Sequence, residues 1–167
     1  MLLRRSFVGV LALALAAPAS AHGPGHAMSG GKPGEAGKVT RVVEIVASDN
    51  AFSLKSLQVK DGETVRFVVR NDGLDPHEFL IGTAHEHAEH REMMKEMIEQ
   101  QKRAGSGGAH VHAMADMEHE HASGVSVEPG KTETFVWIFA RTPSLEFACD
   151  IPGHYEDGMH GPIAFVR

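Results

Sequence analysis

The sequence predicts an all-β protein, a sandwich or barrel of antiparallel strands with one partly helical insertion. Short segments rich in β-branched residues begin at residue 39 and are separated by turn signals at short intervals, which is typical of such folds. Between residues 83 and 124 helix formers replace them, and the strand pattern then returns to the end of the chain. Without the first 21 residues, which have the features of a signal peptide, 167 − 21 = 146 residues remain, enough for one domain and not comfortably for two.

The first residues have the features of an export signal. Arg4 and Arg5 precede an apolar run over residues 7–17, and Ala19-Ser20-Ala21 supplies a small-x-small cleavage site. We expect residues 1–21 to be a signal peptide cleaved after Ala21, through ordinary secretion or, since two arginines are adjacent, through the twin-arginine route. The apolar run is about half the roughly 20 residues that a membrane span needs, and no later segment comes closer. The sequence therefore predicts an exported protein without a membrane span.

Charge and composition limit the partners. Removing Arg4 and Arg5 takes the formal charge from −6 to −8, and no basic stripe remains to follow a phosphate backbone. The sequence thus predicts no nucleic-acid partner. Residues 22–38 are mostly Gly, Pro, His, Ala and Ser, which bury too little apolar surface to offset the entropy of ordering. We expect them to form a flexible leader.

The strands follow in order after this leader. Residues 39–47 (VTRVVEIVA), 54–60 and 64–70 carry β-branched residues, and the turn Asp61-Gly62-Glu63 predicts that the last two form a hairpin. Residues 78–81 continue as a short apolar strand after Asn71-Asp72-Gly73. Beyond the insertion, residues 125–128, 132–140, 144–148 and 162–166 complete the pattern.

The insertion over residues 83–124 begins with helical spacing. Met94, Met97, Ile98 and Gln101 recur every three or four residues, so a helix is predicted over about residues 84–103, stopped by the following glycines. Residues 110–123 have no clear period and are predicted to be loop. Because the insertion has no apolar core of its own, it must pack on the sandwich or remain mobile.

The single cysteine lies in the segment FACDIPGHYEDGMHGP, with a histidine and a methionine at five-residue steps: Cys149, His154 and Met159. Neither a strand nor a helix brings all three together, so a loop must. A thiolate, an imidazole and a thioether form a soft ligand set that suits copper far more than magnesium or calcium. A His₂Cys plane with a weak axial Met needs one more histidine, and His77 is the best candidate because it starts a strand directly after a turn.

This arrangement resembles the cupredoxins, the blue-copper family that includes plastocyanin, azurin and rusticyanin. An upstream His77 is followed by Cys149-x4-His154-x4-Met159 before a final strand, and the resemblance covers residues 39–167. It implies a Greek-key β-sandwich with one type 1 copper, which cycles between Cu(I) and Cu(II). His77 and His154 would bind through imidazole nitrogen, Cys149 through its thiolate, and Met159 axially.

The insertion is also rich in groups that bind copper. It holds seven of the twelve histidines and five methionines, and an acidic, mobile segment of this kind could collect copper in either oxidation state. The expected auxiliary copper-binding residues are His85, His87, His90, Met93, Met94, Met97, His110, His112, Met114, Met117, His119 and His121. The alternative is a solvated insertion whose histidines arose by compositional drift and whose helix packs Met94, Met97 and Ile98 on the sandwich.

With this insertion the chain resembles the small periplasmic cupredoxins of bacterial copper tolerance. That implies a periplasmic protein that binds excess copper and exchanges electrons or copper with a protein partner. The alternative function is an electron carrier between respiratory partners, with the insertion as a docking surface. An enzyme with a second copper reached through histidines beside Cys149 is not expected, since Ala148 and Asp150 flank it, although cuprous oxidation on the insertion stays open.

Overall fold

Two five-stranded sheets pack face to face in the computed structural model, which describes residues 29–103 and 123–167. The strands are β1 (Gly31–Pro33), β2 (Arg41–Ser48), β3 (Ala51–Phe52), β4 (Leu57–Val59), β5 (Thr64–Asn71), β6 (His77–Thr83), β7 (Gly124–Val127), β8 (Thr132–Phe139), β9 (Leu145–Ala148) and β10 (His160–Phe165). One sheet has the order β1-β8-β5-β2-β3 and the other β4-β10-β9-β6-β7. The predicted all-β sandwich is confirmed.

Aromatic side chains fill the space between the sheets. Phe67 of the first sheet lies 5.5 Å from Phe79 of the second, measured between ring centroids, and Phe79 stacks on Phe147 at 5.3 Å. All three are fully buried, as is Trp137 at 2% exposure. Burying side chains of this size supplies about 1.5–3 kcal/mol each. The site residues at one end of β6 and β9 therefore rest on a rigid apolar base.

The strand pairing differs from the predicted hairpin and from an all-antiparallel sandwich. Segment β4 does not pair with β5 but runs parallel to β10 in the other sheet, with Leu57 opposite Ile163. Strand β5 instead lies between β2, to which it is parallel, and β8. The turn over residues 61–63 thus leads from one sheet to the other. Leu57 and Val59 are buried in the core, and this burial selects the sheet they join.

The prediction of a flexible leader is wrong for its last residues. Strand β1 pairs antiparallel with β8, placing Gly31 opposite Phe139, and a short 3-10 helix covers Ala36–Lys38. The Trp137 indole donates a hydrogen bond to the Gly30 carbonyl at 3.2 Å. Edge pairing uses backbone groups and needs little apolar side-chain area, so composition did not reveal it. Residues 22–28, the rest of the predicted leader, and the predicted signal peptide lie outside the described residues.

The predicted helix is confirmed as α1 (Ala84–Arg103), which continues directly from β6. A capping box starts it: Glu86 accepts hydrogen bonds from the Thr83 amide and hydroxyl, at 2.7 and 2.8 Å, and the Thr83 hydroxyl accepts one from the Glu86 amide. The helix packs on β6 and β9. Every residue of β6 except Thr83 is therefore buried, in contrast to a strand with one face in water.

Among the residues that the structure describes, no helix combines the length and the apolar character that crossing a bilayer requires.

Candidate metal centre

The first histidine of the site is held by the turn that precedes it. His77 opens β6 and is 1% exposed. Asn71, at the end of β5, fixes the turn: its side-chain amide donates to the carbonyls of Asp75 and Val127, at 2.8 and 2.9 Å, and its oxygen accepts from the Gly73 amide at 2.8 Å. These hydrogen bonds hold the turn, and with it the start of β6 at His77, in a fixed position.

The other residues of the predicted constellation come from the loop between β9 and β10. Backbone hydrogen bonds close this loop: the Cys149 amide donates to the Met159 carbonyl and the Met159 amide to the His154 carbonyl, both at 3.0 Å. Gly153 and Gly158 have φ values of 99° and 97°, which only glycine adopts without strain. Backbone hydrogen bonds within the loop thus hold its side chains in fixed positions.

Three predicted ligands converge at this end of the sandwich. Donor atoms of His77, Cys149 and His154 all lie within 4.8 Å of one another. The two histidine Nδ1 atoms are 3.3 Å apart, and His154 Nδ1 lies 3.4 Å from Cys149 Sγ. His77 and Cys149 are buried and His154 is half-buried, so one edge of the cluster reaches solvent. The predicted meeting of residues that are more than seventy positions apart is confirmed.

The surroundings favour the metal-binding form of the imidazole. Burial, followed by the proximity of His154, lowers the pKa of His77, so its ring is neutral and a ring nitrogen can donate an electron pair. Burial raises the pKa of the Cys149 thiol to about 12, although the Glu78 amide donates to Sγ at 3.4 Å. A buried thiolate and two facing imidazole nitrogens are stabilised together by a cation among them, and the soft donor set fits copper.

Met159 lies beside this cluster. It is fully buried in the same core group as Cys149 and is the last residue before β10. Its backbone bonds to both Cys149 and His154 make its position dependent on theirs. A His₂Cys group with a methionine nearby is typical of a type 1 copper site.

The predicted auxiliary residues separate by exposure. His85 and Met93 face solvent, with 81% of the His85 side chain and 38% of Met93 exposed. His90 is largely buried near Glu78, and Met97 is half-buried. His87 and Met94 are buried under the helix, so they are not placed to collect copper from solution. The remaining predicted residues lie outside the described part of the chain: His110, His112, Met114, Met117, His119 and His121.

Sequence reasoning missed a polar cluster behind the ligands. Asp150 is fully buried and lies 2.8 Å from His87 Nδ1 and 3.4 Å from Arg91 Nη1. Two signals could have pointed to it: Asp150 directly follows Cys149, and His87 and Arg91 are four residues apart and so share a helix face. The insertion therefore touches the metal loop directly.

Solved cupredoxin structures resemble this fold. The chain superposes on auracyanin B with a TM-score of 0.55 at 17% identity, over 86% of this chain and 100% of that one. Reduced auracyanin from Roseiflexus castenholzii gives a TM-score of 0.53 at 20% identity, over 77% and 98%. An azurin from Methylomonas sp. strain J gives 0.51 at 14% identity, over 77% and 100%. At these identities the likeness establishes a cupredoxin fold.

Sequence relatives establish the family, although no family model matches the chain. The copper-resistant cuproprotein CopI of Pseudomonas aeruginosa is 41% identical over 155 residues, 84% of each chain. CopI of Rubrivivax gelatinosus is 38% identical over 149 residues, 86% of this chain and 80% of that one. CopI of Vibrio cholerae is 39% identical over 132 residues, 77% and 68%. The chain therefore belongs to the family of copper-resistant cuproproteins called CopI.

Proposed function

We propose that this chain is an exported periplasmic protein of copper tolerance that binds one copper ion at a redox-active type 1 site. His77 and His154 supply imidazole nitrogens, Cys149 supplies the thiolate, and Met159 is the weak axial ligand. The observation that carries the proposal is the convergence of the three donor groups within 4.8 Å in a relative of copper-resistant cuproproteins.

The site suits both oxidation states of copper. Thiolate and thioether favour Cu(I), whereas imidazoles accept Cu(II), so a pocket that cannot rearrange binds both. The cross-bonded loop from Cys149 to Met159 and the turn held by Asn71 supply that rigidity. One-electron exchange at this site needs little movement of the protein.

The insertion adds capacity for copper in this proposal. Exposed His85 and Met93 lie on α1, whose outer face also carries Glu89, Glu92 and Glu96. Carboxylates there give a local field that attracts cations, and imidazole and thioether groups bind copper in either state. The histidines and methionines of residues 104–122 extend this set in the sequence. Because His87 and Met94 are buried, they contribute to folding of the helix instead.

Survival in copper tests the proposal. A copper-sensitive bacterial strain would express the full chain, a Cys149→Ser variant, or, as a matched surface control, Lys102→Ala. We expect growth in copper to be restored by the wild type and the control, and to be lost with Cys149→Ser at equal periplasmic protein levels. Full protection by Cys149→Ser would contradict a role of the type 1 site in tolerance, and retention of all three proteins in the cytoplasm would contradict export.

Copper stoichiometry separates this function from the alternative of a respiratory electron carrier. Anaerobic titration with Cu(I) should give more than one equivalent per chain if the insertion collects copper. One equivalent, with unchanged survival in copper and impaired respiratory electron flow on deletion of the gene, would favour the carrier. Oxygen consumption with Cu(I) as the substrate would reveal a cuprous oxidase.

A further inference from the structure

Helix α1 is joined to the metal loop by a buried ion cluster. Asp150, the residue after Cys149, has both carboxylate oxygens engaged: Oδ2 lies 2.8 Å from His87 Nδ1 and Oδ1 lies 3.4 Å from Arg91 Nη1. The side chains of His87 and Asp150 are 0% exposed, and that of Arg91 is 11% exposed. A buried carboxylate is stable only when paired, so these contacts fix where Asp150 lies.

His87 makes no other polar contact among the residues that the structure describes. Its Nε2 atom is buried and finds no hydrogen-bond partner among the described residues, whereas Nδ1 faces Asp150. Leaving one ring nitrogen unsatisfied costs about 1–3 kcal/mol. The bond to Asp150 is therefore the contact that explains a buried histidine at this position of the helix.

Arg91 also contacts a second part of the loop, directly after His154. Its guanidinium carbon lies 3.7 Å from the centroid of the Tyr155 ring, and Nε lies 3.6 Å from Glu156 Oε1. Tyr155 directly follows His154; its ring stacks on His160 at 4.2 Å, and its hydroxyl donates to Glu146 Oε1 at 2.7 Å. One arginine thus contacts the loop next to Cys149 and again next to His154.

We propose that His87 and Arg91 are positioning residues of the copper centre, through which the insertion holds Cys149 and His154 in their ligating geometry. The inference rests on the proposed type 1 site. Contacts behind the ligands orient the ligands themselves, and their loss typically weakens metal binding about 10- to 100-fold. The helical part of the insertion therefore serves the type 1 site directly, separately from any copper collected on its outer face.

Four variants test this role. His87→Ala removes the donor to Asp150, and His87→Asn places an amide nitrogen near the position of Nδ1. Arg91→Met removes the charge and the contacts to Asp150, Tyr155 and Glu156 at similar side-chain length, and Arg91→Lys retains only the charge. Lys102→Met is the matched control, because Lys102 lies on the same helix, is 68% exposed and pairs with Glu99.

The first readout needs no copper. Amide hydrogen exchange in the copper-free proteins reports on the loop bonds donated by Cys149, His154 and Met159. We expect exchange at these amides to accelerate about tenfold or more in His87→Ala and Arg91→Met, because a buried carboxylate left without a partner destabilises the closed loop. His87→Asn should recover much of the protection, Arg91→Lys little of it, and Lys102→Met should match the wild type.

The second readout is the copper centre of the folded variants. Loading with Cu(II) should give a thiolate-to-copper absorption band that is shifted or weakened in His87→Ala and Arg91→Met, and competition with a Cu(I) chelator should show about 10- to 100-fold weaker retention. Wild-type exchange, spectrum and retention in folded Arg91→Met, or in His87→Ala where it folds, would overturn the inference. A wild type without the band would instead contradict the proposed type 1 site, while the copper-free exchange experiment would still decide the positioning role.

Discussion

Cys149 combines the capacity to bind a metal with low reactivity toward oxidants. It is fully buried, and burial raises the pKa of its thiol to about 12, so little thiolate is present to react with oxidants. A metal ion reverses this by stabilising the thiolate. The sequence predicted the role of Cys149 from the spacing to His154 and Met159. It did not predict the contacts of Asp150 behind it, because the spacing of His87 and Arg91 places them on one helix face without saying what that face packs against.

Asn71 is the residue whose truncation should most weaken the turn that precedes His77. Its fully buried side chain makes three hydrogen bonds to the turn and to β7, and Asn71→Ala leaves those backbone groups without partners. We expect the free energy of unfolding to fall by about 2–4 kcal/mol and copper retention to weaken. Urea unfolding of the copper-free protein measures the first effect, with the exposed Gln58→Ala as control. A loss below about 0.5 kcal/mol, the range of ordinary surface changes, would show that the turn does not depend on Asn71.

At the scale of elements, the helix was predictable, and its packing on the sandwich was foreseen only as one of two alternatives. Helical spacing and glycines located α1 within residues 84–103 in agreement with the structure. The capping box Thr83-x-x-Glu86 is equally readable in the sequence and accounts for the immediate start of the helix after β6. The sequence does not show that α1 covers β6 and β9. The apolar stripe of α1 is short, and one of its buried positions is a histidine, His87. Edge strand β1 escaped prediction for a different reason, since backbone hydrogen bonds to β8 align it and its own side chains bury little apolar area.

Glu86 makes the stability of this element dependent on pH. Burial raises its pKa, but the hydrogen bonds from Thr83 and Ser29 outweigh burial, and the net pKa lies below the ordinary value of 4.5. A depressed pKa in the folded state stabilises the protein above the unfolded value, and this stabilisation is lost as the pH falls through the folded value.

We therefore expect Glu86→Gln to destabilise the protein near about pH 7, where the wild-type carboxylate is ionised, and to have a smaller effect in acid. Chemical denaturation of both proteins across this pH range measures the difference. Glu89→Gln is the control, because Glu89 is 69% exposed and contacts only His85 at 3.5 Å in the described chain. An equal effect of Glu86→Gln at every pH would contradict the assigned hydrogen bonds to the carboxylate.

At the scale of the whole molecule, long-range strand pairing brings together residues that are far apart in the sequence. Local turn signals predicted a hairpin of β4 and β5, yet the chain crosses between the sheets there, and parallel pairs β2 with β5 and β4 with β10 result. Long-range pairing depends on which buried faces fit, and a turn sequence does not specify it. In the second sheet β6 pairs with β9, and this pairing brings His77 to Cys149 and His154. The ligand loop and the helical insertion consequently belong to one structural unit.

The two halves of the insertion should therefore have separable functions. Replacing residues 104–122 with a Gly/Ser segment of equal length removes their histidines and methionines and leaves α1 in place. We expect this variant to retain a wild-type copper centre and to lose additional copper equivalents, whereas deletion of residues 84–122, which also removes α1, should damage the centre. Copper analysis after dialysis and the absorption spectrum measure both effects. An undamaged centre in the longer deletion would contradict the support that α1 is proposed to give.

The most direct test of the central claim is the spectrum of the copper-loaded protein beside that of Cys149→Ser. Serine preserves the size of the side chain but removes the thiolate that would bind copper. The wild type should show an intense visible thiolate-to-copper charge-transfer band and the electron paramagnetic resonance signal of a type 1 site, and the variant should lack both. A copper-loaded wild type without that band, or a Cys149→Ser protein with the same spectrum, would contradict a type 1 centre built on His77, Cys149 and His154.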